Sequence, residues 1–186
     1  MTGCDLDPKQ TGETPARQEM LQKSPDRIRA MFDQISPRYD FLNHLLSLNS
    51  DVLWRRRAAA LCEGAKRVLD VCSGTGYLAG LLSSRGYAVT GIDHSPEMVR
   101  YARENVPSAV FHIASATDFH VTGAFDGAVS TFDSLNHILE LRGLKAAFRR
   151  TAEALQTGAS FAFDMLLDEA YQTHWGENFA IVREDH

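Results

Sequence analysis

Five short apolar runs set the plan of this chain: RVLDVC (67–72), YAVTGI (87–92), AVFHI (109–113), FDGAVSTF (125–132) and SFAFDM (160–165). Helical patterns lie between most of them. Strand, helix, strand, helix in this order predicts an α/β fold with a mostly parallel sheet and helices on both faces. Ligands of such sheets sit beyond the carboxyl ends of the strands. Two features fall there: the turn Gly74-Thr75-Gly76 after the first run, and Asp93 after the second.

The helix starts share one chemistry. SPDR at 24, SPRYD at 36 and SPEM at 95 each offer Ser as an N-cap and Pro at the first helical position. The hydroxyl accepts an orphan backbone N–H, and proline loses nothing where its missing N–H had no partner. After Ser95, the residues Met98, Tyr101 and Ala102 fall on one helical face. The helix over GLKAAFRRTAEAL is expected to stop at Thr157-Gly158, with Leu141, Leu144, Phe148 and Leu155 as its apolar stripe. Residues 1–23 are polar and rich in Gly, Pro, Thr and Gln, and read as a disordered arm. Residues 24–63 read as a helical cap, and 64–186 as the core.

A chain of 186 residues is long enough for one domain with a sizeable core. Its net charge of −5 argues against a dominant nucleic-acid footprint. No apolar run approaches the ~20 residues of a membrane span, and MTGCDLDPKQTGETPARQ lacks the apolar region of a secretory signal. Cys4, Cys62 and Cys72 have no metal-type spacing. They suggest free thiols in a reducing, cytoplasmic setting, with no metal site expected.

GTGYLA can be written G-x-G-x-x-A, the loose dinucleotide fingerprint. Three readings compete: a bare strand-to-helix connection, a dinucleotide, and a sulfonium nucleoside. Asp93 suits the ribose of any adenosine ligand. Asp70 discriminates. A dinucleotide would bring its pyrophosphate to this helix N-terminus, where a carboxylate repels it. S-adenosylmethionine brings an ammonium and a sulfonium, which a carboxylate attracts. The residues therefore favour S-adenosylmethionine over a nicotinamide cofactor and its oxidoreductase chemistry.

Residues 67–165 resemble a class I S-adenosylmethionine-dependent methyltransferase, a Rossmann-like α/β fold. VLDVCSGTGYLA resembles the first motif of that family, usually D-x-G-x-G-x-G. Asp70, Gly74 and Gly76 match it, and Cys72 replaces a glycine beside the methionine moiety. GIDHSPEMV resembles the next motif, which implies that Asp93 binds the ribose hydroxyls; His94 would pack beside adenine. IASATDF resembles the adenine-contacting segment. Ser115 stands there in place of the usual acid, and Ala116 would offer its backbone N–H. In FDGAVSTFDSLNHI, similar to the fourth-strand segment of small-molecule methyltransferases, Ser130 and Phe132 would lie beside the methionine part. LQTGASFAFDM resembles the fifth strand and its preceding turn.

The stretch 31–59 is similar to the start of ubiquinone and menaquinone biosynthesis C-methyltransferases, through M-F-D-x-I-x-x-x-Y-D-x-x-N. That resemblance implies that Tyr39 closes over the cofactor. The segments FDSLNHI and HWGENF (174–179) are closer to other small-molecule methyltransferases, so the acceptor stays open between a quinone precursor and another small molecule. A non-catalytic nucleoside-binding protein is the rival from outside enzymes. It draws on the Cys72 and Ser115 departures and on a tail, LLDEAYQTHWGENFAIVREDH, with room for a lid segment and one strand, FAIVRE, rather than the family's final hairpin. Candidate bases near the mouth are His137, His94 and Asp164, and none is assigned that role. Phe32, Tyr39, Phe41, Leu42, Leu45 and Leu46 read as core or as the wall of an apolar acceptor pocket. Trp54-Arg55-Arg56-Arg57 reads as a solvated helix face with Trp54 inward, or as a peripheral contact of the three arginines with an anionic membrane surface.

Overall fold

The computed structural model describes residues 25–39, 50–121, 124–166 and 179–182. The ends of the chain, 1–24 and 183–186, lie outside them, as do Phe41, Leu42, Leu45, Leu46 and nearly all of HWGENF. Helices α1 (Pro25–Ile35) and α2 (Ser50–Ala60) precede the sheet. Then follow β1 (Arg67–Val71), α3 (Tyr77–Ser84), β2 (Ala88–Asp93), α4 (Pro96–Asn105), β3 (Val110–Ile113), β4 (Phe125–Ser130), α5 (Leu141–Ala154), β5 (Leu155–Asp164) and β6 (Phe179–Val182).

The strand order is β3-β2-β1-β4-β5-β6. Strands β1 to β5 pair in parallel, and β6 lies antiparallel against β5, with Phe161 opposite Val182. The central strand carries no water-facing side: Val68, Leu69 and Val71 are fully buried, as a parallel strand between two helical layers requires. One layer sets Ala59, Leu78, Leu82, Val99 and Ala102 from α2, α3 and α4 against Val68 and Val129. The other sets Ala147 and Ala154 of α5, with Ala116 and Phe119, against Leu69, Val71 and Ile92. The order reverses between β1 and β4, the crevice where open α/β sheets bind ligands.

Four details depart from the sequence reading. Ser36 does not start a helix. Ile35 is still helical (φ −89°, ψ −11°), so no extended residue is there to act as a cap, and the chain tightens into a 3₁₀ turn over Ser36–Arg38. The Ser36 hydroxyl instead donates back to the Asp33 carbonyl at 3.0 Å. Thr157-Gly158 does not stop the last helix: Leu155 is already extended (φ −84°, ψ 146°), and Gly158 (φ +83°) lies inside β5. There the register slips, Phe125 facing Leu155 but Gly127 facing Ser160. The buried face of α5 is Ala147, Thr151 and Ala154, while Leu141, in its first turn, is 66% exposed. The fourth departure is Arg55, which is buried within the site described next. By contrast, Ser95 caps α4 as expected, accepting the Met98 N–H at 3.0 Å, and Met98 and Ala102 are buried beneath it.

Candidate functional site

The turn after β1 is held in left-handed backbone by three residues: Cys72 (φ 63°), Gly74 (φ 54°) and Gly76 (φ 80°). Position 76 favours glycine for a second reason. A Cβ there would stand 3.1 Å from Ala102 and 3.2 Å from the Phe111 ring, so α4 or the ring would have to give way by a few tenths of an ångström. The turn is tied to β2 by Ser73 N–H donating to the Ile92 carbonyl (2.8 Å) and Gly74 N–H donating to Asp93 Oδ2 (2.9 Å). Asp93 Oδ1 accepts the Ser95 N–H at 2.9 Å. Burial raises the Asp93 carboxyl above its ordinary range, and these two N–H bonds oppose the rise.

A cavity of about 470 Å³ opens over the ends of β1 and β2, within the ~300–1,000 Å³ usual for small-ligand sites. Asp93, His94, Met98, Ser115 and Ala116 border one half; Phe32, Tyr39, His137, Ile138 and Leu139 border the other. Phe32 meets the His137 ring edge-on, centroids 5.2 Å apart, and Tyr39 at 5.9 Å. Ser115 spends its hydroxyl locally, paired with Thr117 Oγ1 at 2.9 Å and accepting the Thr117 N–H at 3.2 Å.

Cys72 and Gly74 also border a small recess with Asp70, Tyr77 and Phe132. Asp70 is 2% exposed, and its Oδ2 has no hydrogen-bond partner among the described residues. Burial first, and the Asp93 charge second, push its carboxyl up to about 7, against the pull of Arg55. Arg55 is 4% exposed, its guanidinium 4.4 Å from the Tyr77 ring centre and 4.2 Å from that of Phe132. Stacking on two aromatic faces lets a cation stay buried. The recess thus presents a carboxylate and a guanidinium, complementary to a zwitterion. An orphaned acceptor oxygen there fits a cationic group, and a pyrophosphate would meet it with repulsion.

The wall beyond β4 is made by an uncommon turn. Phe132 (φ 66°) and Asp133 (φ 53°) are both left-handed without being glycine. Asp164 at the end of β5 accepts both their N–H groups, at 2.9 and 2.8 Å. Asn136 bonds Leu166 in both directions, at 2.9 and 3.0 Å. These bonds hold the Phe132 ring against Arg55. Burial and the neighbouring Asp164 raise the Asp133 carboxyl to about 6.

Of the residues singled out in sequence, Tyr39, Cys72, Gly74, Asp93, His94, Ser115 and Ala116 border the cavity, and Asp70 and Phe132 border the recess. Gly76 sits behind the turn, and Ser130, buried at the end of β4, borders neither space. Asp164 acts on backbone N–H groups, while His94 and His137 face the cavity. Arg55 is the residue that composition hid: three consecutive arginines read as one basic face, yet only Arg56 and Arg57 are exposed. Helical phase carried the signal, since Arg55, Ala58 and Ala59 share the buried face of α2 at i, i+3 and i+4. Among the described residues no three His, Cys, Asp or Glu side chains converge as a metal site, and no helix is long and apolar enough to cross a membrane.

Fold and site together define a doubly wound domain with a nucleoside-sized cavity at its switch point. Residues 68–158 match the family described as methyltransferase domain. A demethylmenaquinone methyltransferase of Chlorobaculum parvum is 42% identical over 134 residues, 64% of this chain and 55% of that protein. The chain thus spans little more than half the length of this relative. The sugar N-methyltransferase KedS8 from Streptoalloteichus superposes with a TM-score of 0.56 at 27% identity, over 61% of this chain and 46% of that one. A TehB-like S-adenosylmethionine-dependent methyltransferase from Corynebacterium glutamicum superposes with a TM-score of 0.62 at 23% identity, over 72% of each chain. Residues 68–158 thus match a methyltransferase domain, and they stand on the Rossmann-like fold of class I S-adenosylmethionine-dependent methyltransferases.

Proposed function

We propose that the chain is an enzyme that transfers the methyl group of S-adenosylmethionine to a small-molecule acceptor and releases S-adenosylhomocysteine. The observation that carries this reading is the buried Asp70 carboxylate with its orphaned oxygen, set beside Arg55 in a recess continuous with the cavity through Cys72 and Gly74. Asp70 faces the ammonium and sulfonium side of the cofactor, Arg55 its carboxylate, and Asp93 the ribose hydroxyls through lone pairs left over after its two N–H bonds. The backbone of Ala116 and the side chains of Met98 and His94 flank the adenine. The bound cofactor supplies an already activated methyl group. The chain's own work is to align the acceptor with it, which is worth many orders of magnitude in rate, and to keep water out with Phe32, Tyr39 and Ile138. His137, on the acceptor side, is the group in reach of a proton if the acceptor must lose one. The free thiols Cys62 and Cys72 suit a cytoplasmic setting.

A second reading narrows the acceptor to an apolar ring, as in the C-methylation of a quinone precursor. It is favoured by the apolar wall of Ile28, Phe32, Ile138 and Leu139, and by the name of the Chlorobaculum relative. Arg56 and Arg57 are then the exposed arginines on the side of a membrane contact, since Arg55 is buried in the recess. Calorimetric titration with S-adenosylhomocysteine, with NAD in parallel, tests the cofactor. Micromolar binding of the homocysteine nucleoside alone supports the reading, and binding of NAD alone refutes it. Transfer of a labelled methyl group to a demethylated quinone but not to an amino sugar selects the second reading, and the reverse result rejects it.

A further inference from the structure

One contact near the cavity is used neither by the sheet nor by the chemistry above. Asp33, on α1, accepts a hydrogen bond from the Ser95 hydroxyl at 2.5 Å, across 62 positions of sequence. Ser95 is a junction. Its hydroxyl accepts the Met98 N–H and gives its single proton to Asp33, while its backbone N–H goes to Asp93. Asp93 in turn holds the Gly74 N–H. Three consecutive bonds therefore join the glycine turn, the ribose-facing carboxylate and the cap helix.

The placement of α1 gives this chain of bonds a consequence. Residues four apart share a helix face, so Ile28 and Phe32 form one ridge and Arg29 and Asp33 the next. Ile28, Arg29 and Phe32 all border the cavity, and Phe32 packs on His137. One ridge roofs the acceptor half, and the other leans toward the adenosine half at Ser95. The Asp33 carboxylate is the polar tie that fixes the second ridge to the strand end that would carry the ribose. The pair of Arg29 with Asp26, at 3.9 Å, lies within α1 itself.

We infer that Asp33 is a positioning residue: through Ser95 it latches α1 over the nucleoside and sets how long the cofactor stays bound. This rests on the cofactor reading above, and its test separates the two. Asp33→Ala removes the acceptor, whereas Asp33→Asn keeps an Oδ1 able to take the Ser95 proton. Alanine is well tolerated within a helix, so the fold is not at stake. Dissociation of S-adenosylhomocysteine, followed by surface plasmon resonance, is expected to quicken about tenfold in D33A, the equivalent of about 1.4 kcal/mol. D33N is expected to stay within about threefold of wild type. Equal rates in all three proteins overturn the latch. Amide exchange without any nucleoside supplies the independent arm. Residues 28–35 should exchange faster in D33A while β1 and β4 keep wild-type protection, and unchanged exchange over 28–35 overturns the latch even if the nucleoside fails to bind. Failure of wild type to bind the nucleoside, with faster exchange in D33A, rejects the cofactor reading and keeps the latch.

Discussion

Asp70→Asn should act on stability and on cofactor binding in opposite directions. In the free protein the carboxyl titrates near 7, raised from 3.8, chiefly because it is 2% exposed. The folded state therefore binds this proton more tightly than the unfolded chain does. Between pH 3.8 and about 7 the unfolded state has lost the proton and the folded state has kept it, so stability falls as pH rises, by about 1.4 kcal/mol per unit. Above the folded value the loss is complete, at roughly 4 kcal/mol. Asparagine has no proton to lose. D70N should accordingly gain stability over wild type at pH 8 and little at pH 4.5. Urea unfolding at both values measures the difference. Binding runs the other way. The ammonium of the ligand favours the ionised carboxylate, and a hydrogen bond to a charged group contributes about 1.5–3 kcal/mol, so D70N should bind S-adenosylhomocysteine roughly 10- to 150-fold more weakly at pH 8. Wild-type affinity should fall below pH 7, where binding must expel the proton, and the D70N profile should be flatter. A D70N protein less stable than wild type at pH 8, or one that binds the nucleoside as tightly, refutes the assignment of Asp70 as an uncompensated buried acid awaiting a cation.

Arg55→Lys keeps the charge but loses the planar stack between Tyr77 and Phe132; calorimetry should show S-adenosylhomocysteine affinity lowered about tenfold. His137→Phe keeps an edge-on aromatic contact with Phe32; nucleoside affinity should stay within about twofold while methyl transfer to a proton-losing acceptor drops about 100-fold, read as kcat against Kd. Gly76→Ala forces a Cβ into left-handed backbone and against Ala102 at 3.1 Å; thermal unfolding should show a loss of about 1–3 kcal/mol. Asp164→Ala frees the N–H groups of Phe132 and Asp133; it should cost about 1–3 kcal/mol of stability in urea.

What was legible in the sequence is what repeats with a short period or sits in one segment. The parallel strands could be found because each is a continuous apolar run, and Ser95 because a cap, a proline and an amphipathic face follow one another within eight residues. Asp70, Cys72, Gly74 and Asp93 were legible for the same reason: strand, turn and acid are local. The misreadings share the opposite cause. Whether Ser36 caps a helix depends on the backbone of Ile35, which its side chain does not encode. Whether Arg55 is solvated depends on Tyr77 and Phe132, residues 22 and 77 positions away. Phe132 reaches Arg55 only because Asp164, from another strand, holds two non-glycine residues in left-handed backbone. The recess is thus assembled from three parts of the chain, α2, the turn after β1 and the turn after β4. A change at Asp164 should be felt at Arg55 although the two carry no bond to each other: the aromatic face that keeps the guanidinium buried stands on the Phe132 N–H that Asp164 holds.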